Sequence, residues 1–222
     1  RALVGSLAGV ANRVTAIEVT LHGSLAWTGK GHGTDSAVML GLMGLEPETI
    51  DPNAIDPILR GIQAHKRLEV PGIGEVGFDP EQHLRFDYDE ELPRHTNGMR
   101  FVARDAGGSV VATDDYYSLG GGFIAKNDEP EPIGQASEPP LPFAIGDRLL
   151  DIAAGNGLSI AELVYRNELH WRTAEDVDQR LTAIWEAMRA CIERGLQTDG
   201  VLPGKMGVLR RAAKLHRRLL DR

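Results

Sequence analysis

Three stretches of this chain carry residue types and spacings suited to holding and working on a small anion. The longest is Gly23-Ser24-Leu25-Ala26-Trp27-Thr28-Gly29-Lys30-Gly31-His32-Gly33-Thr34-Asp35. His32 offers a neutral imidazole that takes a proton near neutral pH. Thr34 and Asp35 add a hydroxyl and a carboxylate where a following helix should begin, and the glycines let the backbone turn tightly beside a ligand. His95-Thr96-Asn97-Gly98 is the second stretch, just ahead of a strand. Gly120-Gly121-Gly122-Phe123 is the third, where backbone amides can face a ligand. A plainer reading stands beside each: Thr34 or Asp35 only caps a helix, and the three glycines only permit a corner or bulge.

Two phosphate motifs are excluded at the first stretch. A Walker loop needs four residues between its glycines and a hydroxyl after Gly-Lys; here five residues separate Gly23 from Gly29, and Gly31 follows Lys30. Gly29-x-Gly31-x-Gly33 likewise lacks the dinucleotide-binding spacing.

The elements that must position these residues follow from periodicity. Residues 14–21 alternate and are rich in β-branched side chains, which predicts a strand leading into the first stretch; residues 36–45 predict a helix leaving it. After a Pro-rich break, residues 53–68 carry apolar side chains at helical spacing, with His65 on the surface. Short strands and turns fill residues 69–93, and strand 99–104 returns through a Gly-Gly turn as 110–118, a hairpin. Residues 126–142, rich in Pro, Glu, Asp and Gly, read as a linker. Beyond it the pattern is helical: Ser159 and Glu162 form a capping box, and 173–193 predicts a long amphipathic helix ended by Gly195, with Leu181, Ile184, Trp185 and Met188 on one stripe and Cys191 in the core.

Composition narrows the function classes. The 222 residues carry a formal charge of −8, which argues against a nucleic-acid binder. The acidic run Asp87, Asp89, Glu90, Glu91 and the basic C-terminal end read as solvated faces. One cysteine excludes a disulfide framework and cannot by itself hold zinc or an iron–sulfur centre, and no apolar run is long enough for a membrane span. A cytoplasmic protein is expected. Residues 1–10 read as the end of a helix cut off on its N-terminal side, without the pattern of a signal peptide, so a truncated or processed polypeptide is expected.

Taken together, the motifs resemble the bacterial iron–sulfur L-serine dehydratases of the single-chain type. The matching stretches are Gly23-Ser24-Leu25 with 28–35, His95-Thr96-Asn97-Gly98-Met99, 116–123, Asn167-Glu168, 191–195, and 200–204 followed by Arg210-Arg211-Ala212. The resemblance implies an α+β fold. Its first part, residues 1–125, is a β domain related to the allosteric substrate-binding domain of phosphoglycerate dehydrogenases. A linker over 126–157 and an incomplete all-helical α domain over 158–222 follow. It also implies a lyase of amino-acid degradation and gluconeogenesis that converts L-serine to pyruvate and ammonia with a 4Fe-4S cluster. The cluster's cysteines are expected outside this stretch, so no cofactor or metal is expected in this chain and the chain alone should not turn over.

By the same resemblance His32 and His95 are the catalytic residues, one as base for the α-proton and the other serving the leaving hydroxyl or the substrate carboxylate. Ser24, Thr34, Asp35, Asn97, Gly120 and Gly121 are the substrate-binding residues. The partner is the small molecule L-serine, with no nucleic acid or membrane, and a homodimer is compatible with this reading. The alternative is a regulatory module that binds a small carboxylate, such as serine, without chemistry.

Overall fold

In strand β1 (Ala16–His22), every second residue is apolar: Ile17, Val19 and Leu21 are buried, while Glu18, Thr20 and His22 point to the other side of the pleat. That alternation sets up a sheet with one face covered by helices and one face polar. The structure, a computed structural model, describes residues 2–7, 9–127, 137–202 and 207–221. They divide into two units, at Pro132 and Ile133.

The first unit opens with α1 (Ala2–Leu7), whose Leu7 is buried, and reaches β1 through a short 3-10 turn. Then follow α2 (Gly23–His32), α3 (Thr34–Leu42) and α4 (Pro52–His65). Asp51 caps α4 by accepting the Asn53 N–H at 2.9 Å, with Pro52 in the first turn, where its missing N–H costs nothing. β2 (Arg67–Val70), β3 (Gly74–Gly77), α5 (Pro80–His83), β4 (Leu84–Asp87), β5 (Asn97–Arg104), β6 (Val110–Gly120) and β7 (Phe123–Lys126) complete the unit.

The strands form one mixed sheet in the order β2-β3-β1-β5-β6-β7. β3 and β4 share one side of β1, both parallel to it: β3 meets its start at Ala16 and β4 its end from Val19 to His22, with α5 between them. The other side of β1 pairs antiparallel with β5 along its whole length, and β5 with β6 is the expected hairpin. The core under the helices joins Ile17, Val19 and Leu21 to Val38, Leu42, Ile62, Val70 and Phe78. The opposite face carries paired charges instead. Arg104 grips Glu18 through two bonds of 2.7 and 3.2 Å, and Arg100 grips Asp115 at 2.7 and 2.8 Å.

The second unit holds α6 (Gly146–Asn156), α7 (Ile160–Glu168), α8 (Ala174–Gln197) and α9 (Ala212–Leu220). The Ser159–Glu162 capping box is present. The Asn167 side chain imitates a strand neighbour, accepting the Leu141 N–H and donating to the Leu141 carbonyl at 3.0 and 2.9 Å.

Four expectations are corrected. The glycine-containing stretch 23–35 is not a loop but two helices: Gly23 and Gly33, at φ 53° and 71°, take the left-handed conformation only at the two ends of α2, and Gly29 and Gly31 lie inside it. Lys66, at φ 55°, ends α4 early, so Leu68 is a buried strand residue rather than a helical one. The 126–157 linker contains α6, whose Ile152 and Ala153 pack against Leu163. α8 runs through Gly195 to Gln197, and Cys191 on it is exposed rather than core.

Candidate active site

The sheet register brings the ends of three strands together. His22 at the end of β1 pairs with Gly98 at the start of β5, which pairs with Tyr117 three residues before Gly120. His95, Asn97, Gly120 and the start of α2 therefore sit at one end of the sheet.

There the 95–97 turn is fastened to the first turn of α2. Gly23 bridges to Asn97, and the Ser24 N–H donates to the Thr96 carbonyl at 3.0 Å and its hydroxyl at 3.2 Å. Gly23 is required for this approach: it holds φ at +53°, and a Cβ there would lie 2.5 Å from the Thr96 carbonyl oxygen. The clasp also uses the Ser24 N–H, so one of the amides at the start of α2 is engaged. The Thr96 hydroxyl passes its own hydrogen to Glu91 at 3.1 Å.

His95 is half-buried, and its Nδ1 accepts the Asn97 N–H at 3.0 Å. A nitrogen that accepts carries no hydrogen, so the neutral ring of His95 bears its proton on Nε2 and presents it as a donor.

His32 closes the other end of α2 and is exposed. Eight residues of α-helix separate it from Ser24, a span of about 12 Å at 1.5 Å per residue. Beside it, Thr34 and Asp35 open α3, Asp35 accepting the Ser36 N–H at 2.8 Å. Thr34 lines a mostly apolar cavity of about 280 Å³ with Met99, Phe101, Tyr116, Tyr117 and Ser118. Burial raises the Tyr117 phenol above its ordinary pKa, and its hydroxyl donates to Asn127 at 3.1 Å. Gly120, the last residue of β6, and Gly121, in the turn to β7, are exposed and both have positive φ.

The predicted residues thus fall in three places: His95, Asn97 and Ser24 at the start of α2, His32, Thr34 and Asp35 at its end, and Gly120 and Gly121 on the hairpin turn. Among the described residues no hydrogen bond or ion pair links His32 to His95.

On the polar face of the sheet lies a group that sequence reasoning missed. His22 is 2% exposed and lines a depression with Asp87 and Glu90. Its signal was available in the alternation of β1, which puts residue 22 on the face opposite Ile17, Val19 and Leu21. The acidic run read as a solvated face is in part the wall of this depression. Asp87 Oδ1 accepts the N–H groups of Glu90 at 2.9 Å and Asp89 at 3.0 Å, which hold its carboxyl below the ordinary carboxylate range.

The implied 4Fe-4S cluster does not fit the donors of this chain. Cys191 is the one cysteine, exposed on α8, and a single thiolate does not make the ligand set of such a cluster.

Residues 4–129 match the serine dehydratase beta chain family, and residues 155–222 match the serine dehydratase alpha chain family. L-serine dehydratase 2 of Escherichia coli (strain K12) is 43% identical over 213 residues, covering 94% of this chain and 46% of the relative. L-serine dehydratase of Streptomyces coelicolor is 40% identical over 209 residues, 93% of this chain and 46% of the relative. L-serine dehydratase of Helicobacter pylori is 32% identical over 219 residues, 97% of this chain and 48% of the relative. The chain spans about half the length of these curated relatives. With more than half its residues matched by the beta chain family and the rest of its described helices falling mainly in the alpha chain match, the chain belongs to the serine dehydratase family.

Proposed function

We propose that this chain serves the deamination of L-serine to pyruvate and ammonia, contributing the residues at the two ends of α2. The observation that carries the reading is similarity along 93–97% of the chain to relatives named L-serine dehydratase. On this reading the first unit is the β domain, akin to the allosteric substrate-binding domain of phosphoglycerate dehydrogenases, and the second belongs to the α domain. The whole enzyme is a cytoplasmic, iron–sulfur-dependent lyase.

The chemistry has two proton movements. The weakly acidic α-hydrogen of serine must leave as a proton, and the β-hydroxyl must leave as water. His32, exposed and with no protein hydrogen bond described on its ring, is the base that accepts the α-proton. His95 presents Nε2–H and is the donor that protonates the departing hydroxyl, its tautomer held by the Asn97 N–H. Elimination leaves aminoacrylate, which tautomerises to the imine; water adds, ammonia leaves, and pyruvate remains. The side chains of Ser24 and Asn97 hold the substrate carboxylate at the start of α2, Thr34 and Asp35 take the ammonium group at its end, and Gly120 and Gly121 close the site from the hairpin. This requires serine to lie between groups anchored about 12 Å apart along α2.

The test is pyruvate formation from L-serine by the encoded protein that contains this chain. His32→Ala and His95→Ala should each lower kcat by about 10²–10⁴, the range for a lost acid or base. His65→Ala, on the exposed last turn of α4, should leave it unchanged. Near-normal turnover in both the His32 and the His95 variant would overturn the assignment.

A further inference from the structure

We infer that His22, Asp87 and Glu90 form a binding site for a divalent first-row transition-metal cation on the polar face of the sheet. The inference is independent of the serine chemistry and uses none of its residues.

Three observations carry it. His22 is 98% removed from solvent, yet neither Nδ1 nor Nε2 has a hydrogen-bond partner. A buried imidazole left without partners is rare and costly, and a ligand is one of the few things that relieves it. The donors also converge: one atom from each of His22, Asp87 and Glu90 lies within 4.8 Å of the others, with His22 Nδ1 3.9 Å from Glu90 Oε2. Donors on one zinc or manganese ion sit about 3–4 Å apart, since each metal–ligand bond is about 2.1 Å. The side chain of Glu90, 58% exposed, is free to swing through the small remaining distance.

The backbone around the site is fixed in advance. His22 and Asp87 are direct partners across the parallel β1–β4 pair. The two N–H groups on Asp87 Oδ1 orient that carboxylate and leave Oδ2 for a ligand. The Glu90 carbonyl accepts the Gly23 N–H at 3.2 Å, tying the acidic segment to the residue after His22.

Charge agrees with a cation. The depression, of about 460 Å³, also contains Asp89, Arg85 and Arg100. Arg100 makes two bonds to Asp115 and also feels the charge of Glu90, so with Asp87, Asp89, Glu90 and Asp115 four carboxylates stand against two arginines. An imidazole with two carboxylates suits zinc, manganese(II) or iron(II), with water in the open positions; magnesium and calcium favour all-oxygen sites.

The test is a titration of the chelator-treated, full 222-residue chain with zinc chloride, followed by calorimetry, with manganese chloride as a paramagnetic probe in NMR. One zinc per chain should bind with a Kd of about 10 μM or tighter, and manganese should broaden the amide signals of Thr20, Gly23, Asp89 and Glu90 first. His22→Ala should weaken zinc at least tenfold. Asp87→Asn keeps the oxygen that accepts the turn N–H groups, and Glu90→Gln is solvent-facing, so both should fold and still weaken zinc at least tenfold. His65→Ala should bind as the parent does. No zinc or manganese binding tighter than about 1 mM would overturn the site. So would wild-type zinc affinity in folded Asp87→Asn and Glu90→Gln, the result expected if His22 merely forms an ion pair or binds water.

Discussion

The two units dispose of their apolar side chains differently. In the first, Val19, Val70 and Phe78 are completely buried and Ile17 and Leu68 are 1% exposed. In the second, α8 carries Leu181, Ile184, Trp185, Met188 and Ile192 along one stripe, all more than half exposed, and its described buried cluster is only Ile152, Ala153 and Leu163. Both regions have strong periodicity in sequence. What differs is coverage: a sheet strand acquires neighbours from distant parts of the same chain, whereas the apolar face of a long helix is buried only where another surface meets it. Periodicity identifies the face and says nothing of the cover.

The largest expected effect is in the sheet unit. Phe78→Ala should lower stability by about 3–5 kcal/mol, as a fully buried aromatic leaves a cavity. Trp185→Ala, from a larger but half-exposed side chain, should change it by less than about 0.5 kcal/mol. Urea unfolding of each variant makes the comparison, and equal losses would show that the α8 stripe is packed after all. Next, Gly23→Ala should cost about 1–3 kcal/mol, because the side chain meets the Thr96 carbonyl in a backbone conformation it rarely adopts.

A smaller change sharpens the contrast from the helical side. Ile184→Glu with Met188→Glu should halve the fluorescence of a hydrophobic dye bound to the chain while the thermal midpoint stays within about 2 °C; an unchanged signal would put the exposed apolar surface elsewhere. The smallest effect belongs to the polar face. Hydrogen bonding from Arg104 lowers the Glu18 carboxyl below its ordinary 4.5. That stabilisation is complete above 4.5 and is lost as pH falls through the lower, folded value. Glu18→Gln should therefore cost about 1 kcal/mol at pH 7, a figure set by partial exposure of the pair, and the difference from wild type should fade below pH 4.5 in parallel urea titrations.

Much of both units was legible in sequence where the signals are local. The alternation of β1, the β5–β6 hairpin and the Ser159–Glu162 box each depend on a few adjacent residues. The stretch 23–35 misled for a physical reason: glycine permits a loop without demanding one, and Gly29 and Gly31 are tolerated inside a helix that packs on the sheet. His22 went unnoticed because its partners, Asp87 and Glu90, arrive only through the parallel β1–β4 pairing. The placement of His95 next to Ser24 was equally nonlocal, whereas the tautomer set by the Asn97 N–H needed atomic geometry.

β1 is flanked on both sides, yet none of its strand neighbours comes from before Gly74. While the chain is being synthesised, the strand that will sit at the centre of the sheet has nothing to pair with until β3, β4 and β5 emerge. Its apolar residues, Ile17, Val19 and Leu21, must wait in an unpaired segment, and the entropy of closing those long loops precedes any reward from the ladder. Such a topology folds slowly for its size, and its most vulnerable interval for aggregation is the time between the appearance of β1 and that of β5.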